Sequence, residues 1–258
     1  MIKFFRTIRK SLFMENKTSK YFKYAIGEIV LVIIGILIAL QINNWNIENS
    51  NKKIEKQLLI SLKDDFTKTK INIEKTIELQ TNVLNLTKSL MIHYLEKKYD
   101  VSKDSMFAMI VTGTSSFWRI EPINGTYQSM LSSGDSKLLK NKNLLQSLTE
   151  FNGEVSYGFE DHNVCLDLIL KIIDELGDHS FLVINPKFYY DNYKTPKNQK
   201  QVLKIELQKL YKNKSLFVKV DNKLDLEANR LQWQVKMLED VDKVLKEINE
   251  ELKRFNND

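Results

Sequence analysis

Residues 29–40 are twelve consecutive apolar residues, and widening the window to 24–42 adds only Glu28 and Gln41 as interruptions. Nineteen residues at about 1.5 Å rise per residue give a helix of roughly 28 Å, close to the hydrocarbon thickness of a bilayer. The segment is long enough to span. Tyr21, Phe22 and Tyr24 stand at one border and Trp45 at the other, where amphipathic rings prefer the headgroup layer, and Asn43 and Asn44 re-enter water. A secretory signal would also pair a basic region with an apolar one. Here, however, the basic region is long, the apolar stretch is full length, and Gln41-Ile42-Asn43-Asn44-Trp45 offers no small-residue cleavage pattern. A retained transmembrane helix over residues 24–45 is therefore expected.

Charge sets its direction. The net charge of +6 would point to nucleic acid if it were spread over a surface. Residues 1–23 hold all of it, with seven basic residues against Glu15, and the remainder carries equal numbers of acids and bases. No nucleic-acid partner is expected. The positive-inside rule places residues 1–23 in the cytoplasm and exports the rest. Met1, Phe4, Phe5, Ile8 and Leu12 fall on one side of a helical wheel with Lys3, Arg6 and Lys10 on the other. That pattern fits a helix lying in the inner-leaflet interface, with Lys3, Phe5, Arg6, Arg9 and Lys10 as its lipid contacts.

Within the span, Ala25, Glu28, Val32, Gly35, Ala39 and Ile42 recur at alternating steps of three and four. Small residues let helix backbones approach, so Ala25, Glu28, Val32, Gly35 and Ala39 are the expected face for packing against another span. Glu28 lies about one turn inside the border, where an acid costs less than at the bilayer centre. Its ordinary role is to reach the interface; its functional role is an oligomer contact or a pairing with a basic group on a partner.

At these residues the chain resembles an uncharacterised family of single-span membrane proteins of Bacteroidota. The resemblance rests on Lys23-Tyr24-Ala25-Ile26-Gly27-Glu28-Ile29, on residues 33–40, and on Ile42-Asn43-Asn44-Trp45-Asn46. The start, Met1-Ile2-Lys3-Phe4-Phe5-Arg6, follows the same pattern, as do Thr126-Tyr127 and Ser133-Gly134 more weakly. The resemblance implies a bacterial inner-membrane setting with a periplasmic domain, and it supplies no catalytic residues.

Eight glycines and three prolines are few for 258 residues, which favours an all-α chain with long helices. Residues 46–100 read as one long helix, possible continuation of the span included, with Ile54, Leu58, Leu62, Phe66, Ile73, Ile77 and Leu84 near helical spacing. Residues 101–200 read as short helices and loops. Thr126 is a candidate cap for a helix ending at Gly134, Asp135 or Ser136 for the next, and any strand would be at residues 181–184. Residues 201–258 read as C-terminal helices, where Leu224, Ala228, Leu231, Val235 and Leu238 form a coiled-coil-like seam. After one register slip at Val241 it resumes through Leu245, Ile248, Leu252 and Phe255. The expectation is an exported helical bundle with two long helices.

No paired-histidine zinc motif, phosphate loop, dinucleotide turn or cysteine pair occurs. Cys165 is the only cysteine, so no intramolecular disulfide forms, and its ordinary role is that of a small buried hydrophobe. His162 and Cys165, three apart with Asp161 adjacent, make two ligands of mixed type, weak as a metal site. His93 and His179 have no neighbour in sequence that completes a site. Phe117-Trp118-Arg119 is most simply a buried aromatic pair beside a surface cation. No catalytic, cofactor-binding or metal residues are assigned and no cofactor is expected. The chain reads as a non-enzymatic, membrane-anchored scaffold or accessory subunit. Its expected partners are the lipid bilayer and a second copy or another membrane protein. The alternative is a periplasmic helical sensor of a small solute that signals through a partner.

Overall fold

A computed structural model describes residues 18–257 apart from Asp191 and Pro196. Lys3, Phe5, Arg6, Arg9 and Lys10, and the interfacial helix they were assigned to, lie outside the described residues. The described chain is all-α, with no strand among its elements. It divides into two compact units at Gln57 and Leu58.

The first unit is the leading part of helix α1 (Thr18–Leu95). Every residue from 29 to 48 is exposed, and the helix is long and apolar enough here to cross a membrane. The helix continues without a break through the apolar stretch and the 46–95 segment. Its end is a Schellman turn: the Lys97 N–H donates to the Tyr94 carbonyl and the Lys98 N–H to the His93 carbonyl. Lys97 takes the left-handed φ of 51° that such a turn requires.

The second unit is built on three long helices: α1 from Leu58 onward, α4 (Lys142–Glu175) and α7 (Lys214–Asn257). Between them come α2 (Lys103–Phe107), a π-helical turn (Ala108–Thr114), α3 (Gly125–Ser133), α5 (Ser180–Val183) and α6 (Gln199–Leu210). Residues 101–200 are thus not only short helices and loops, since α4 runs 34 residues through them. Gly153 and Gly158 interrupt it at the sequence level. In the fold the helix is held by Leu144, Leu148, Phe151, Val155, Cys165, Ile169 and Ile172, which are all buried. Tertiary packing outweighs the roughly 1 kcal/mol that each helical glycine costs. The bundle therefore has three long helices, not two. Residues 181–184, the candidate strand, fall mostly in α5. The N-cap of α3 is Asn124 rather than Thr126, whose own N–H donates to Asp65 Oδ2 (2.9 Å).

Helices α1 and α7 are antiparallel. Lys70 pairs with Asp242 (2.6 Å), and Tyr94 stacks on Phe217 with ring centroids 3.6 Å apart. Helix α4 also runs against α7, through Asn141 to Glu251 (2.9 Å) at one end and Lys219 to Glu175 (2.6 Å) at the other. Phe66 of α1 meets Phe151 of α4 at 5.1 Å, and because both helices are antiparallel to α7 they run parallel to each other. Each helix buries positions alternating by three and four. On α1 these are Leu59, Leu62, Phe66, Thr69, Ile73, Thr76, Gln80, Val83, Thr87 and Leu90. On α7 they are Val220, Lys223, Glu227, Arg230, Gln234, Met237, Val241, Val244, Ile248 and Glu251. This is the coiled-coil periodicity, with no slip at Val241. The seam expected through Leu224, Ala228, Leu231 and Val235 is one position off: those residues are half-buried or exposed, and the charged residues beside them are inside. An apolar pattern alone selects leucines; the bundle buries a polar layer instead.

Candidate functional site

The polar layer occupies the middle of the bundle. Lys223, Glu227 and Gln234 of α7 and Gln80 of α1 have no solvent-exposed surface, and Arg230 keeps 7%. Glu227 is its hub. One carboxylate oxygen accepts from Lys223 Nζ (3.2 Å) and from the Cys165 thiol (3.3 Å), while the other accepts a short hydrogen bond from Gln80 Nε2. Buried carboxylates persist only when paired and hydrogen-bonded in this way. Burial pulls the Lys223 ammonium below its ordinary pKa, against the raising influence of Glu227. Burial first, and then the Glu227 charge, push the Cys165 thiol up to about 12, so the cysteine is a neutral donor.

The same side chains hold the segment 113–118 against the bundle. Lys223 Nζ donates to the Gly113 carbonyl (3.2 Å). Gln80 Oε1 accepts from the Trp118 N–H (2.9 Å), and the Trp118 carbonyl accepts from Arg230 Nη2 (2.7 Å) and Gln234 Nε2 (3.1 Å). Gly113 permits the approach: a Cβ there would come within 3.0 Å of Leu86 Cβ and of the Thr87 backbone nitrogen. The guanidinium of Arg230 also lies over the Phe117 ring, 5.1 Å from its centroid. The His162 ring is also a neighbour of Phe117, with centroids 5.0 Å apart. Burial, and after it the charges of Arg119 and Arg230, lowers the His162 pKa.

Beside the layer is a cavity of about 310 Å³ between α4, α7 and the 119–120 segment, lined by Arg119, Ile120, Val155, Tyr157, Gly158, Asn229, Arg230 and Trp233. Gly158 makes room for the flat Trp233 indole, whose ring carbons would be 2.2 Å from a Cβ at that position. Arg230 Nη1 and Trp233 Nε1 are buried here without a hydrogen-bond partner. A second, more open hollow of about 420 Å³ is lined by residues 117–119 together with Asn72, Lys75 and His162.

A model of the family of unknown function DUF6090 matches residues 28–174, more than half of the chain. The chain belongs to DUF6090. No curated protein and no solved structure matches it. The DUF6090 region takes in Glu28, Gln80, Gly113, Trp118, Gly158 and Cys165, whereas Lys223, Glu227, Arg230 and Gln234 follow it on α7. The polar layer thus joins residues of the DUF6090 region to residues beyond it.

Of the residues singled out from sequence, Cys165 is buried as expected, with Glu227 as its partner rather than His162. Among the described residues no group of three or more metal-binding side chains forms, and the side chain of Asp161 lies outside them. His93 Nδ1 lies 2.8 Å from the Ser89 carbonyl, and His179 is buried. Phe117 and Trp118 are not a buried pair: Trp118 is 44% exposed and Phe117 half-buried, and Arg119 pairs with Glu121 (3.2 Å). On the first unit, Ala25, Glu28, Val32, Gly35 and Ala39 stand on one continuous helix at steps of three and four. Ala25 and Glu28 are half-exposed and the other three exposed. Arg230, Trp233 and Glu227 were missed. The signal was present: stepping back by threes and fours from Ile248, Val244, Val241 and Met237 lands on Gln234, Arg230, Glu227 and Lys223.

Proposed function

We propose that this DUF6090 protein is a non-enzymatic, single-pass membrane-anchored scaffold or accessory subunit that works through helix association. The observation that carries this reading is the stretch 29–48 of α1, exposed at every position. A Cβ added at Gly27 or Gly35 would meet nothing within 4 Å. Such a face, with Ala25, Val32, Gly35 and Ala39 along it, is suited to close approach of a second span. The basic excess of residues 1–23 supports a cytoplasmic N-terminus and a periplasmic bundle in a bacterial inner membrane.

Mass measurement of the full chain extracted in detergent tests this: a homo-oligomer or a stable co-purifying membrane protein is expected. A monodisperse monomer with nothing attached would sink the reading. Because Cys165 is buried, single-cysteine cross-linking is clean. In a homo-oligomer Gly35→Cys should cross-link and Leu37→Cys, on the opposite face, should not.

The second reading, a helical sensor of a small solute that signals through a partner, is favoured by the cavity beside Arg230. Helical bundles place ligands between their helices in cavities from about 300 Å³ upward. A panel of solutes that never shifts the thermal unfolding of the protein would count against it.

A further inference from the structure

We propose that a hollow at the end of the bundle where α1 stops and α7 begins is the docking surface for a short acidic segment of a partner protein. This inference rests on the scaffold reading and names the chemistry of the partner.

The hollow, of about 650 Å³, is walled by the last turn of α1, the turn that follows it, the end of α6 and the first residue of α7. Tyr94 stacks on Phe217, Tyr99 and Tyr211 lie 5.5 Å apart, and the Tyr211 hydroxyl donates to the Lys98 carbonyl (3.0 Å). Ring contacts and a hydrogen bond thus fix the wall in advance of any partner. Lys97, Lys212 and Lys214 line it, all three exposed, and no carboxylate does. Their neighbours are paired: Lys98 with Glu96, Lys187 with Asp104 (2.8 Å), Lys209 with Glu206 (2.9 Å) and Lys219 with Glu175 (2.6 Å). Lys97, Lys212 and Lys214 join none of the ion pairs of the described residues. Asp100, beside Tyr99 in sequence, is not on the wall. Two of the three lysines also occupy positions that helix chemistry disfavours. Lys97 has a left-handed φ of 51° where glycine is the ordinary residue, and Lys214 puts a cation in the first turn of α7, which holds no acid. The surrounding segment is basic as a whole. Residues 184–214 carry eight lysines against Asp191 and Glu206, a net +6, and the rest of residues 24–258 carries −6.

Three accessible ammonium groups without a counter-charge call for an anion, and the rest of the wall selects its kind. Leu95 is 68% exposed here, beside the half-buried tyrosine rings, and this hydrocarbon has no complement in a phosphate chain. Gln208, also exposed, brings an amide that both donates and accepts, as a peptide backbone requires. A long nucleic acid would run from the hollow onto a bundle that is net negative outside residues 184–214, and would be repelled there. A few carboxylates around an apolar side chain match both the lysines and the hydrocarbon without that repulsion.

The test is fluorescence anisotropy of a dye-labelled peptide, Glu-Glu-Leu-Phe-Glu-Glu, titrated with the full chain in a non-ionic detergent. Saturable binding is expected, weaker by about tenfold or more for the same peptide with glutamine in place of glutamate, and lost as ionic strength rises from about 0.05 to about 0.5 M. Lys212→Gln combined with Lys214→Gln should weaken binding by about tenfold, at about threefold for each exposed charge. Lys97→Gly should weaken it by about threefold with no loss of thermal stability, which separates docking from folding. Lys246→Gln, an exposed lysine toward the other end of α7, should bind as the natural chain does. Neutral peptide bound as tightly as acidic, or undiminished binding by the Lys212/Lys214 variant and by Lys97→Gly, overturns the proposal. Displacement by tripolyphosphate or by short single-stranded DNA at lower concentration than by unlabelled peptide overturns the assignment to an acidic protein segment. If the acidic peptide shows no saturable binding the proposal fails, while the scaffold reading stands or falls by the mass measurement in detergent.

Discussion

Glu227 accepts from three buried side chains, and its removal has a calculable direction. Glu227→Ala would leave Lys223, Gln80 and the Cys165 thiol without their acceptor in a site with no solvent-exposed surface. Breaking a buried pair on one side costs about 3–5 kcal/mol. Urea unfolding followed by tryptophan fluorescence should show a loss of that size, and a loss below about 1 kcal/mol would mean the layer is hydrated. Cys165 makes a related point by titration. Its thiol is raised from 9.0 to about 12, so it favours the fold while neutral. That contribution is complete below pH 9 and is lost as pH rises from 9 toward 12. The native chain should resist a thiol reagent at pH 8 and react only once urea unfolds it. Glu175 works in the opposite direction. Hydrogen bonds from Lys219, Asn213 and Ser215 hold its carboxyl near 2, against an ordinary 4.5. Its contribution is present above pH 4.5 and is lost as pH falls toward 2. Glu175→Gln should flatten the fall in stability over that window; an unchanged acid profile would show that the cluster is not formed in solution.

Among the elements, two backbone positions are legible as tests. At Gly113 the π-helical turn approaches α1 so closely that Gly113→Ala must shift one of them, at about 1–3 kcal/mol, read from the urea midpoint. At Lys97 a non-glycine residue holds the left-handed position of a Schellman turn, which costs about 1 kcal/mol relative to glycine. Lys97→Gly should therefore stabilise the domain by up to that amount, and a destabilised variant would refute the assignment of that turn. These elements also mark what the amino-acid order reveals. The length of α1 was readable because residues 49–98 lack Gly and Pro and place Leu62, Phe66 and Ile73 on one face. Helix α4 was not: Gly153 and Gly158 lower its helix propensity, and Trp233, on a helix far off in sequence, fills the space at Gly158. The face of α7 was misassigned by one residue for a similar reason. Leu224 and Leu231 are better candidates for a core than Lys223 and Arg230 unless the carboxylate, carbonyls and amide that receive them are known. The carboxylate is that of Glu227 on the same helix, and the Gly113 and Trp118 carbonyls come from a segment about 110 residues away.

For the whole molecule, the anchor reading predicts a graded response to charge. Ile36→Lys places an ammonium in the centre of the apolar stretch at a cost of about 2.5–3.5 kcal/mol on insertion scales. Alkaline extraction of membranes should then release more of the variant than of the natural chain; equal retention would argue that this stretch is not what holds the protein there. The bundle has a further property that follows from where its polar layer sits. A heptad seam made only of leucine repeats every seven residues and can be slid by one repeat without penalty. Here a slide of one repeat would set Glu227 against Ile73 or Thr87 in place of Gln80, and against Gly158 or Ile172 in place of Cys165. No displaced alignment returns the carboxylate to Gln80 and Cys165. The layer is a keyed joint: it admits one longitudinal setting of the three helices, so any movement the bundle makes must be a rotation or a splaying about that key and not a glide along the seam.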